Sequence, residues 1–112
     1  MAKVFDLNKL AEFSQKQGLL SNMEDRRRVK KDLLETSYFN IVLISLETGQ
    51  EIPVRPEPYA VCFYVVDGKG TFTVGNDQVD LSRGGLIFAP ADEARGIKSL
   101  ERLILLGIQE SH

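Results

Sequence analysis

The chain has 112 residues, 43% of them hydrophobic and 27% charged, with a net charge of −2. That length buries a core within one domain without help from disulfides or a structural metal, and the slightly acidic balance offers nucleic acid no broad electrostatic attraction. A single cysteine, Cys62, excludes an intrachain disulfide and fits a reducing cytosol, and a single histidine, His112, all but excludes histidine-based metal sites and acid–base chemistry within one chain.

The first stretch, MAKVFDLNKLAEF, has no apolar signal core, and no later run is long enough to span a bilayer, so a cytoplasmic protein away from membranes is expected. Asp6 followed by LNKLAEFSQKQG predicts a capped helix with Leu7, Leu10 and Ala11 on one face and Gly18 as its stop, a lid on the rest of the chain. The segment MEDRRRVKKDLLET has helical propensity, but its second half reads as a strand. YFNIVLISLETG has the β-branched and aromatic content of a buried strand ending at Gly49, and AVCFYVVDGKG predicts another that turns at Asp67-Gly68. GTFTVGNDQVDL is a hairpin with Phe72 and Val74 on one face, Gly75-Asn76-Asp77 at the turn, then Val79 and Leu81. GGLIFAPADEA is a short strand ended by Pro90, and ERLILLGIQE is the last strand. Short strands separated by turn residues argue for an antiparallel sandwich or barrel: one all-β domain over 1–112, with a helical segment over 1–22 and the barrel over about 38–110.

Two spacings sharpen this reading. Gly49 is followed after five residues by Arg55-Pro56-Glu57, then after three by Val61, then after six by Gly68. Gly84 is followed after five residues by Pro90-Ala91-Asp92, then after two by Arg95, then after three by Ser99. Over residues 40–108 this frame resembles the two motifs of the cupin superfamily, small single-domain jelly-roll β-barrels of the cupin_2 type. There the first motif reads Gly, His-x-His, Glu, Gly and the second Gly, Pro-x-Gly, His, Asn. The resemblance implies an antiparallel double-sheet barrel, and a homodimer formed through an outer sheet face. It also puts Arg55, Glu57, Val61 and Arg95 at the ligand positions of the family's metal. A metal needs lone pairs at about 2.0–2.2 Å, which a guanidinium and a valine cannot supply. No metal or other cofactor is therefore expected.

If the resemblance fixes the face, Arg55, Glu57, Val61, Phe63 and Val65 point inward by strand alternation, and Cys62, Tyr64 and Val66 point outward. Arg55, Glu57 and Arg95 then admit a structural ion pair filling the metal's place, or an anion pocket. In the pocket, Arg55 and Arg95 clamp a small organic anion while Glu57 or Tyr59 sets its orientation. A third arrangement leaves them on the surface at the barrel mouth. Pro53, Pro56 and Pro58 stiffen this rim and remove backbone donors. Glu57 and Tyr59 are weak catalytic candidates, for a metal-independent isomerase, epimerase or lyase on a small sugar or acid. No nucleophile–base pair supports such chemistry, and Cys62 reads as a packing residue. The basic run Arg26 to Lys31 reads as a solvated edge, because Glu24, Asp25 and Asp32 bracket it and no aromatic residues interleave. The function expected is non-catalytic binding or sensing of a small organic anion. The alternatives are the metal-independent enzyme and a dimeric interaction module with a filled barrel.

Overall fold

The computed structural model describes residues 1–15, 18–20 and 29–112. Among them a single helical turn, α1 (Leu7–Leu10), precedes nine strands: β1 (Lys30–Glu35), β2 (Phe39–Leu46), β3 (Glu51–Pro56), β4 (Val61–Asp67), β5 (Lys69–Val74), β6 (Asp77–Ser82), β7 (Leu86–Ala89), β8 (Ala94–Ser99) and β9 (Leu103–Glu110). The strands make two antiparallel sheets, ordered β1-β2-β9-β4-β7 and β3-β8-β5-β6. This is the expected all-β jelly-roll barrel.

Alternation builds the core. Val61, Phe63 and Val65 are buried along β4, while Cys62 and Val66 are half-buried and Tyr64 is exposed. Val42 and Ile44 of β2 and Leu103 and Leu105 of β9 meet them, and Phe72 and Ile97 close the space from the other sheet. The β5–β6 hairpin is tighter than its sequence suggests. Asp77 already pairs with Val74, so Gly75 (φ 59°) and Asn76 alone make the turn. Val79 stays exposed because β6 is the edge of its sheet.

The N-terminal helix is shorter than the pattern predicts. Asp6 caps it as expected, accepting from the Lys9 amide at 3.3 Å, yet it ends at Leu10 with Ala11 at ψ 130°. No residue of the turn is buried, and a short helix without a packed face has little to hold it together. The chain runs on as a strap. Glu12 pairs with Lys31 at 3.3 Å, the Arg102 guanidinium lies 3.8 Å from the Phe13 ring centre, and the Ser14 carbonyl accepts from Gln50 Nε2 at 2.9 Å. Gly18 is no helix stop: its φ of 74° turns the chain onto the edge of β3. There its carbonyl accepts from the Glu51 amide, and the Leu20 amide donates to the Glu51 carbonyl. Leu20 is fully buried in the core, which contributes roughly 1.5–3 kcal/mol.

Of the basic run, Arg26, Arg27 and Arg28 lie outside the described residues. Lys30 and Lys31 open β1, an edge strand.

Candidate functional site

Strand β3 does not run evenly along β8. Ile52 pairs with Ile97, but the next pair is Arg55 with Arg95, so Pro53 and Val54 together oppose Gly96. One extra residue on β3 is a β-bulge, which reverses the side-chain alternation beyond it. Ile52 faces the core, and after the bulge Arg55 shares that face instead of turning to the outside. Gly96 makes the bulge possible. A Cβ on it would lie 2.5 Å from Val54 Cγ2 and 2.9 Å from Val54 Cα. Pro53 sits at the bulge on an edge strand, where a missing N–H is tolerated.

Arg95 and Arg55, directly paired, have different surroundings. The Arg95 residue is 6% exposed, and its guanidinium donates to three backbone carbonyls: Nε to Glu93 at 2.9 Å, Nη1 to Tyr59 at 2.9 Å and Nη2 to Pro90 at 2.6 Å. It also lies 5.6 Å from the Tyr59 ring centre, within cation–π range. These carbonyls come from the β3–β4 and β7–β8 loops, so one cation ties both loops at the barrel mouth. The Asp92 amide, donating to the Glu57 carbonyl at 2.7 Å, ties them again. Asp92 has a φ of 69°, which explains why the frame favours glycine there and why aspartate, tolerant of that region, can replace it. Among the described residues no carboxylate pairs with Arg95.

Arg55 makes the ion pair. Its Nε lies 2.9 Å from Glu57 Oε1, with side chains 51% and 25% exposed. This exposed pair adds at most about 1 kcal/mol of stability, and among the described residues neither Nη atom of Arg55 has a hydrogen-bond or ionic partner. The ion pair weighed from sequence is therefore Arg55–Glu57, and Arg95 is held separately by carbonyls.

Arg55, Glu57, Tyr59 and Arg95 line one cavity of about 90 Å³. Its wall also includes Lys30 of β1 and Gln109 of β9, and its apolar side is built from Ile44, Ile52, Phe63 and Ile97. Lys30 was hidden in sequence inside the basic run, and Gln109 inside the polar end of a strand. Gln109 is 5% exposed between the exposed Ile108 and Glu110, so its side chain points inward. Neither Lys30 nor the Gln109 amide group has an ionic or hydrogen-bonding side-chain partner among the described residues. The wall thus carries three cations against one carboxylate. Tyr59 stacks on His112, with ring centres 3.9 Å apart and planes 10° from parallel.

The family described as "Cupin domain" matches residues 42–106, more than half of the chain. The chain is a cupin. Solved structures bear out the fold. TT1209 from Thermus thermophilus is similar with a TM-score of 0.82 at 21% identity, covering 98% of both chains. An uncharacterized conserved protein with a double-stranded beta-helix domain from Klebsiella pneumoniae gives 0.80 at 18% identity, covering 98% of this chain and 90% of that one. Conserved SPY1581, a protein of unknown function from Streptococcus pyogenes, gives 0.77 at 21% identity, covering 100% and 90%. No functionally curated protein matches this cupin in sequence.

The cupin metal does not fit these residues. At its ligand positions Val61 is buried hydrocarbon, Arg95 is a guanidinium held by carbonyls, and Arg55 is a guanidinium holding the carboxylate of Glu57. Two permanent cations and one carboxylate repel a divalent ion, and a guanidinium has no lone pair to offer it. Among the described residues no three of the His, Cys, Asp or Glu type gather to hold one.

Proposed function

We propose that this cupin binds a small organic anion at the barrel mouth, in a non-catalytic binding or sensing role. The observation that carries the reading is the unbalanced charge of the cavity wall. Arg95 is buried with no carboxylate paired to it among the described residues, and Lys30 and Arg55 add two further cations against Glu57 alone. A unit charge pair 4 Å apart gains about 4 kcal/mol at an effective dielectric near 20, so an anion here supplies the missing countercharge. The Arg55 guanidinium lines the cavity, and a guanidinium suits bidentate contact with a carboxylate. The volume of about 90 Å³ lies well under the roughly 300–1,000 Å³ of drug-sized sites, which limits the ligand to a few non-hydrogen atoms. The single cysteine suits such a protein to a reducing cytosol.

Thermal unfolding against a panel of small carboxylates, phosphate and matched neutral amides tests this. The expected result is a rise in Tm with at least one carboxylate and none with its amide. Arg55→Ala, at an exposed position, is expected to fold normally and to weaken that carboxylate by roughly 10- to 100-fold. Equal shifts with the amides, or none across the panel, would sink the reading.

The same reading includes a homodimer through the outer face of the five-stranded sheet. At one end of that face Leu43, Ser45 and Ile104 are buried. At the other end Phe39, Tyr64, Leu86, Phe88 and Ile108 are exposed around the half-buried Cys62. The pairings of Cys62 with Phe88 and Ile108, and of Tyr64 with Leu86, make this a continuous apolar patch. None of these side chains is charged, so a second copy of the chain meets no like-charge repulsion there. Light scattering on the eluting protein is expected to give twice the monomer mass. Phe88→Glu, at a position 56% exposed, should leave the far-UV spectrum unchanged and halve that mass. A wild-type protein already running as a monomer rules the dimer out.

A further inference from the structure

The cavity wall has a feature that an anion alone leaves unanswered. Gln109 is only 5% exposed, yet its amide has no hydrogen-bond partner among the described residues and lines the cavity. The amide is not sealed off from the cavity, so a ligand group that pairs with it adds a hydrogen bond and, with it, selectivity. Gln109 projects inward from β9 opposite Val61, and Arg95 projects inward from β8 in the facing sheet, so they meet the cavity from opposite walls. Beneath them lie Ile52, Phe63 and Ile97, which suit hydrocarbon and not a second charge.

We infer that the ligand is a short hydroxy- or oxo-carboxylate. Its carboxylate faces Arg55, its hydroxyl or keto oxygen accepts from Gln109 Nε2, and its small hydrocarbon part rests on the isoleucines and Phe63. The inference rests on the anion-binding reading and deepens it. Inorganic phosphate satisfies the cations but leaves the apolar wall uncovered, and a plain alkanoate covers that wall but leaves Gln109 unpaired.

The test is calorimetric titration of the purified protein with lactate, pyruvate and propionate, which share a three-carbon skeleton and differ in the oxygen. Lactate or pyruvate is expected to bind roughly 3- to 10-fold more tightly than propionate, as a net hydrogen bond to the cavity-facing amide supplies. Gln109→Leu is expected to erase that preference while holding propionate within about threefold of its wild-type affinity. Should leucine unfold the barrel, the near-isosteric Gln109→Met carries the same comparison. Equal wild-type affinity for all three acids overturns the hydroxy- or oxo-acid inference and leaves anion binding standing. A variant that weakens propionate as much as lactate also overturns it. Absence of binding by all three acids overturns the inference as well, and anion binding then stands or falls with the wider thermal-shift panel.

Discussion

Arg95→Met is expected to cost about 3–5 kcal/mol of folding stability, read as a lower midpoint in urea at unchanged slope. The substitution keeps much of the side-chain volume, so the loss is not mainly one of packing. It removes donors at 2.6–2.9 Å from the carbonyls of Glu93, Tyr59 and Pro90. Those carbonyls sit where the two mouth loops converge, and methionine offers them nothing. Against a total stability of roughly 5–15 kcal/mol for a small domain, this is a large fraction. Arg95→Lys should recover only part of it, since one ammonium cannot reproduce the planar fork that reaches three acceptors. A methionine variant within about 1 kcal/mol of wild type would show that the loops hold their shape without the arginine.

Gly96→Ala is the second large effect, and it reaches the site from outside. The new Cβ would crowd the Val54 side chain and backbone, at 2.5 Å from Cγ2 and 3.0 Å from N. A side chain could swing aside, but the backbone of the bulge cannot. We expect a loss of about 1–3 kcal/mol, typical of overpacking. The larger consequence is for binding: if β3 relieves the clash by shedding its extra residue, Arg55 turns from the cavity to the outer face. The carboxylate response should then fall at least as far as in Arg55→Ala, although Gly96 offers the anion no side chain. Wild-type stability together with unchanged binding would show that the bulge does not aim Arg55.

The sequence announces the barrel because the side chains of β2, β4, β5 and β9 repeat their preference every second residue. The parity read from it for Val61, Phe63 and Val65 holds because nothing interrupts β4 between them. Strand β8 escapes notice for the opposite reason. Among Arg95, Gly96, Ile97, Lys98 and Ser99 only Ile97 is a sizeable apolar residue, though Arg95, Gly96 and Ser99 are buried as well. The expected helix fails beyond Leu10 because propensity is local, and the segment finds tertiary partners as a strap instead. The site was legible in part. Glycine spacing brought out Arg55, Glu57 and Arg95, but no residue pattern announces that Arg95 bonds to carbonyls, which every residue carries. Nor does strand alternation by itself place Arg55, since the inward turn depends on a bulge that only pairing with Gly96 reveals. Lys30 and Gln109 reach the cavity through the arrangement of β1 and β9, which is a property of topology and not of any short motif.

A guanidinium that binds the two mouth loops of a cupin is a cation written into the chain. It cannot dissociate, and it does not change oxidation state. A site assembled around it is complete as soon as the protein folds, whether transition metals are scarce or abundant. If the chain binds an anion as proposed, occupancy of the site would follow the supply of that anion and not the supply of metal.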